Sequence, residues 1–324
     1  MNADRPDVCL VQRAASALKD LGAPAWNNPI MRKELRGRIR DWRIPVILVA
    51  HLVLASCLAS LAYLAIGRPA PAIPDWPGGR SARQGLWYGV YTLLLAEVAL
   101  FTPSLTVGAI SGEREHRTLE PVVTTLLCTH WLVLGKLIAA LVYIALLILA
   151  TVPVQAMAVL LGGVSLPEVL VGTVILLATA LVTATMGICM SSLTRSALAS
   201  TVWTYAAILL VGVGGPILAL IPVILLGLTL SLAVERLHWA VQALVVYGSG
   251  VLVCANPFAT AIAAKVLAEG KGSWLTFTTL VTGPDGVPHA LPLLSPWIVY
   301  TLLCTGIGAM LTWVSIRAIE YRRG

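Results

Sequence analysis

Charge is what this sequence most conspicuously lacks: Asp, Glu, Lys and Arg make up 11% of it, against 58% hydrophobic residues. A soluble domain carries about 25% charged residues. The chain therefore cannot cover a water-facing surface, and a soluble globular protein is excluded. Cysteine is sparse too, and Cys9, Cys57, Cys128, Cys189, Cys254 and Cys304 form no CxxC and no pairing pattern. That leaves neither a disulfide framework nor a metal site. His116, His130, His238 and His289 likewise show no metal-ligand spacing. There is no GxxxxGK[ST], because Gly135-Lys136 and Gly270-Lys271 lack the upstream glycine or the spacing, so no loop of that kind cradles a nucleotide phosphate here. Nor does HExxH, GxSxG or a carboxylate pair within an apolar run support an intramembrane hydrolase. With a polar stretch up to Arg43, no cleavable signal peptide is expected, and the first apolar run is expected to act as its own insertion signal.

What is present is a series of apolar runs of membrane length. A helix in lipid bonds its own backbone groups, and about 20 residues span the hydrocarbon. The runs fall at about Ile44–Ile66, Leu86–Ile110, Trp131–Leu161, Val169–Met190 and Trp297–Ile316. Between the last two, Leu198–Val234 is too long for one span and is broken by Gly214-Gly215-Pro216; Trp239–Cys254 is apolar again. That region is either one long span with a re-entrant continuation or three short helices. The expected fold is an all-α, polytopic transmembrane helix bundle with six or eight spans. Residues 1–43 form a tail and an interfacial helix, 44–317 the transmembrane domain, and 318–324 a second tail. External loops are expected at about 67–85, with four prolines between Gly67 and Gln84, and at about 256–295.

The net charge of +7 sits at the edges of the apolar runs, where it serves topology and anionic lipid headgroups rather than nucleic acid. Nine Lys and Arg precede the first run; Arg114, Arg117, Lys136, Arg195, Arg317, Arg322 and Arg323 fall on the same side, against Arg68, Arg80, Arg83, Lys265 and Lys271 opposite. The positive-inside rule puts both termini in the cytoplasm of a multi-pass cell (inner) membrane protein. Asn28-Pro29 opens a helix whose Ile30, Met31, Leu35, Ile39 and Trp42 share a face, with Arg32, Lys33, Arg36, Arg40 and Arg43 around it. Such a basic amphipathic helix is expected to lie in the headgroup plane, and Lys136 to snorkel to the same interface.

Two places carry candidate function. Glu97 falls near the middle of the second run, where an ionisable residue costs at least ~2.5–3.5 kcal/mol. It is either a pathway or proton-linked residue or a hydrogen-bonded structural glutamate. His51, in the first run, lies nearer the cytoplasmic end and is not expected to sit level with it. Together they support an ATPase-independent reading, as an ion-coupled transporter or membrane enzyme. The other place is TPSLTVGAISGEREHRTLEPVVTTLLCTHWLVLGKL, Thr102 to Leu137. Here Glu113, Arg114, Glu115, His116 and Arg117 form a charged knot just past a span. Leu119, Val122, Val123, Leu126 and Leu127 then repeat as one face of a short helix within a segment at 111–130. A helix of this kind can receive a partner's push; an ordinary loop resting on the membrane has the same pattern.

ISGEREHRTLE followed by a threonine-containing helix and LGK resembles the signature of type-2 (exporter-class) ABC transporter permeases, as do Lys33-Glu34-Leu35, Pro103 and Asn256-Pro257. One departure is that the family's Thr-Pro-Leu-Ser turn is here Thr125-Leu126-Leu127-Cys128. The resemblance implies a homodimeric or heterodimeric permease driven by a separate cytoplasmic ATPase that holds the ATP and Mg, with no cofactor in this chain. It further implies a coupling helix between the second and third spans, with Glu113, Arg114, Glu115, Arg117, Thr118, Leu119 and Glu120 at the ATPase contact.

Overall fold

A computed structural model of the chain describes residues 36–37, 42–66, 82–116, 129–160, 164–214, 239–271, 273–282 and 288–321. The helices are α1 (Arg43–Ile66), α2 (Ala82–Ser104), α3 (Ser111–Glu115), α4 (Thr129–Ala150), α5 (Val152–Leu160), α6 (Leu166–Leu193), α7 (Ala197–Leu209), α8 (Trp239–Val253), α9 (Pro257–Lys271) and α10 (Pro296–Tyr321). Between α9 and α10 stands an antiparallel hairpin of β1 (Thr276–Thr282) and β2 (Pro288–Leu294), in register from Thr276 opposite Leu294 to Thr282 opposite Pro288. Thr129–Ala156, Leu166–Leu193 and Pro296–Tyr321 are each long and apolar enough to cross a membrane, and shorter apolar helices accompany them.

The central element is α6. It packs most extensively on α10 and also touches α2, α4, α7 and α9. Most of its buried residues are small, Gly172, Ala178, Thr179, Ala180, Thr183, Ala184, Thr185, Gly187, Ser191 and Ser192 among them, with Ile175, Leu176 and Ile188 between. Lipid tails offer helices no hydrophobic drive to associate, so association depends on close backbone approach between small residues. Gly172 meets the rings of Tyr91 and Trp87, and Gly187 abuts Thr106. Thr179 Oγ1 adds a hydrogen bond of 2.7 Å to the Tyr300 hydroxyl of α10. Against α6, α2 presents Trp87, Val90, Tyr91, Leu94, Leu95 and Val98, spaced as one helical face. The outer face of α1, by contrast, exposes Val46, Val49, Val53, Leu61 and Leu64, as a lipid-facing helix should.

Helix ends differ from the sequence expectations in three places, each with a local cause. The second span stops at Ser104 rather than Ile110, because Pro103 lacks an N–H and its ring crowds the preceding turn. It also starts at Ala82, inside the loop expected over 67–85; residues 67–81 lie outside the described part. The third span breaks at Thr151, where Pro153 cannot bond the preceding turn; there the Thr151 hydroxyl donates to the Ile148 carbonyl at 2.6 Å and accepts from Gln155 Nε2 at 3.1 Å. Third, the stretch 256–295, read as an external loop, holds α9 and the hairpin. Asn256 starts α9 by accepting from the Phe258 and Ala259 amides at 2.9 and 3.1 Å, with Pro257 opening the first turn. Its amide nitrogen reaches back to the Gly212 carbonyl at 2.8 Å, tying α9 to the wide turn Leu210–Gly214 that follows α7. Residues 215–238, between α7 and α8, lie outside the described part.

A methyl group added at Gly187 would overlap the Thr106 hydroxyl, whereas one at Gly308 meets Leu181 at 3.4 Å, an ordinary contact. Gly187→Ala is expected to destabilise the chain by about 1–3 kcal/mol and Gly308→Ala to be near neutral, as read by thermal unfolding in detergent.

Candidate functional site

The charged knot of the sequence forms where α2 gives way to α3. Beyond Pro103 the chain runs in turns from 105 to 110, with the Thr106 and Val107 amides both donating to the Pro103 carbonyl at 2.8 Å. The amides of Ile110 and Ser111 turn instead to Ser191, on α6, whose Oγ accepts from both at 3.0 and 2.9 Å. Ser111 Oγ lies 3.1 Å from the same oxygen and donates to the Val107 carbonyl at 3.0 Å. Since that donation uses the one Ser111 hydroxyl proton, the proton between the two serines comes from Ser191. Ser191 thus accepts twice and donates once, which exhausts a hydroxyl's capacity. Thr106, Ile110, Ser111 and Ser191 are all buried without exposed surface.

Around this junction the charges of α3 reach three neighbours. Glu113 Oε1 lies 2.8 Å from Lys136 Nζ on α4. Arg114 donates from Nη1 to the Thr194 carbonyl at 2.6 Å, just past the end of α6. Glu115 Oε1 accepts from the Ala197 amide at 3.2 Å, beside Ser196, which caps α7 by accepting from the Ala199 amide at 3.2 Å. Both placements follow the helix dipole: a cation meets the carbonyl end of α6 and an anion meets the amide end of α7. A five-residue helix is thereby attached to the start of α4, the end of α6 and the start of α7.

Of the residues expected at a partner surface, Glu113, Arg114 and Glu115 are described, and each bonds within the chain; Glu115 remains exposed. Arg117, Thr118, Leu119 and Glu120 lie outside the described residues, as does the amphipathic stretch to Leu127. Of the interfacial set, Arg32, Lys33 and Arg40 are also outside. Arg36 is helical and exposed, Trp42 is 71% exposed, and Arg43 opens α1. Lys136 is buried, with its ammonium against the Glu113 carboxylate. It sits about two turns inside α4, and the fold-back of the chain after α2 brings the carboxylate to it.

The relative level of His51 and Glu97 is a correction. They were not expected to be level, yet His51 Nδ1 and Glu97 Oε2 are in contact and both residues are buried. The cause is the early end of α2. Glu97 stands seven residues before Ser104, or ~10 Å, and His51 eight residues after Arg43, or ~12 Å, on the 1.5 Å rise of a helix. The contact gives the buried Glu97 a polar neighbour inside the bundle. Ser191, Thr194 and Ser196 were not singled out from sequence; the only signal was a polar run, Ser191-Ser192 to Ser196, at the end of an apolar one.

The fold and this site together define a multi-pass helical membrane protein whose polar machinery is gathered at the ends of its spans. A family model described as ABC-2 family transporter protein matches residues 28–312, so the chain belongs to that family and is a permease-type membrane component of it. A search of curated proteins returns no match.

Replacing Ser191 by Ala removes the acceptor of two buried amides, and Ser191→Ala is expected to cost about 1–3 kcal/mol. Ser192→Ala, whose hydroxyl bonds only the Cys189 carbonyl of its own helix, is expected to cost less, and Ser191→Thr to retain most of the stability. Chemical unfolding of the three variants in detergent measures the order.

Proposed function

We propose that the chain is the membrane subunit of an ATP-driven exporter, worked by a separate cytoplasmic ATPase that docks on the segment at 111–130. The observation that carries this reading is the attachment of α3 to α4, α6 and α7 through Glu113, Arg114 and Glu115. A displacement of α3 reaches three helices through short polar contacts. In this arrangement those three side chains hold the helix ends in register. Arg117, Thr118, Leu119 and Glu120 then supply the face that meets the ATPase, and the ATP and Mg belong to that partner.

The accompanying topology is a multi-pass cell (inner) membrane protein of six or eight spans with both termini on the ATPase side, working as a homodimer or a heterodimer with a second permease chain. The basic tail ahead of α1 lies along the headgroups of the same face. Coupling of this kind needs only a modest difference in interaction between two states, commonly 1–3 kcal/mol.

The test is reconstitution with an ATPase that co-purifies with this chain. Glu113→Gln and Arg114→Gln are expected to leave the complex assembled while lowering permease-stimulated ATP hydrolysis about tenfold or more; wild-type stimulation in both variants overturns the assignment. Glu97→Gln keeps a hydrogen-bonding partner for His51 and is expected to leave stimulation nearly unchanged. Transport by the pure chain in proteoliposomes, with no ATPase present, would instead establish an ATPase-independent reading.

A further inference from the structure

The α7 helix leaves the charged knot at its first residue and is held again by a side chain beyond its last. At the start, Glu115 Oε1 accepts from the Ala197 amide and Ser196 Oγ from the Ala199 amide. These are two of the amides that a first turn cannot bond within the helix. At the other end the cause lies in the sequence. An α-helix would join the Gly212 carbonyl to the amide of residue 216, and residue 216 is proline, which has no N–H. The chain opens there into the wide turn Leu210–Gly214, a form that recurs at functional sites. Asn256 Nδ2 supplies the missing donor at 2.8 Å.

Ala197 and Gly212 are ~22 Å apart on the rise of a helix. Between them Ser200 and Thr204 are buried, α7 packs on α6 and α2, and the Tyr205 hydroxyl donates to the Leu100 carbonyl of α2 at 2.7 Å. The second end belongs to a different part of the bundle from the knot. Ser191 and Thr194, which build the knot, stand at and just past the end of α6. Cys254, just ahead of Asn256, clusters with Ile175 and Ala178, and Lys265 lies 3.7 Å from Glu168. Thus α9 runs beside the first half of α6. It leads on to Trp274, whose carbonyl accepts from Trp297 Nε1 of α10 at 2.7 Å. At the base of the hairpin the Ser295 amide donates to the Leu275 carbonyl at 2.9 Å.

We propose that α7 is a strut between the knot and α9, and that Asn256 is the positioning residue through which a displacement of α3 reaches α9 and the hairpin. The inference rests on the coupling reading given above and adds where the movement goes. Coupling over such a distance is carried by rigid elements joined at discrete contacts. The rigid element is α7, and Glu115 and Asn256 are its contacts. Asn256 is buried at 6% exposure, and its one side chain serves two helices. Oδ1 accepts from the Phe258 and Ala259 amides that open α9, while Nδ2 holds the carbonyl beyond α7. The end of α7 therefore cannot shift relative to α9 without breaking either the cap or the tie. Aspartate and serine cap helices as well as asparagine does, but aspartate ionised has no proton to donate and serine is too short to reach both.

Hydrogen–deuterium exchange of the full chain in complex with its co-purifying ATPase, nucleotide-free and then trapped with ATP and vanadate, reads both ends of α7 at once. In the wild-type complex, trapping is expected to change exchange about fivefold or more at the amides of Ala197 and Ala199 and at those of Phe258 and Ala259. Asn256→Ser and Asn256→Asp keep the cap of α9 and lose the tie to Gly212. Both are expected to retain the response at Ala197 and Ala199 and to lose it at Phe258 and Ala259. A response at Phe258 and Ala259 that persists in either variant overturns the strut, as does a wild-type complex that responds at one end only. Absence of a response at both ends of the wild-type complex overturns the coupling reading itself, and the strut with it. The wild-type comparison stands whether or not the variants fold.

Discussion

A backbone amide within the bilayer has no water to bond, and the architecture follows from how this chain meets that constraint wherever a helix stops. Several described breaks have their own polar side chain. Ser191 takes the two amides left over after α2, Thr151 and Gln155 cover the joint between α4 and α5, Ser196 caps α7, and Asn256 caps α9. Among these, Ser191 acts across the longest stretch of chain, because it belongs to a different helix from the amides it satisfies. It works alongside the packing of Ile110 on Ala184 and Ile188, which holds the turn from 105 to 110 against α6.

The same economy explains the small residues of α6. A helix touched on several sides must let its neighbours come close, and side chains of at most three heavy atoms permit this while hydroxyls add bonds such as Thr179 to Tyr300. The charged groups of the described bundle are then found near its two polar ends, with the His51–Glu97 contact the deeper exception. Function is accordingly read from the ends of the helices more than from their lengths.

The sequence made the long helices legible, because α4, α6 and α10 are runs of lipid length, which few other structures require. It also marked the knot, since five charged or titratable residues beside an apolar run stand out against a charge-poor background. The level of His51 relative to Glu97 is not legible in the sequence, because the apolar run continues past Pro103 to Ile110 while the helix ends at Ser104, a difference of about two turns. The hairpin escaped notice for a related reason: Pro288 and Pro292 argue against a strand, yet a two-stranded hairpin has only edges, where proline is tolerated. Ser191 was beyond reach of any local pattern, as its partners lie 80 and 81 residues earlier.

That separation also imposes a timetable. With the ribosome adding ~5–20 residues per second, the Ile110 and Ser111 amides emerge roughly 4–16 s before the hydroxyl that will bond them. Over that interval water must do the work of Ser191, so the end of α2 has to wait at the bilayer surface. Synthesis of α6 is what releases it. The chain's final packing is thereby coupled to the order of its birth: an early hairpin of α1 and α2 is completed only by a helix made much later.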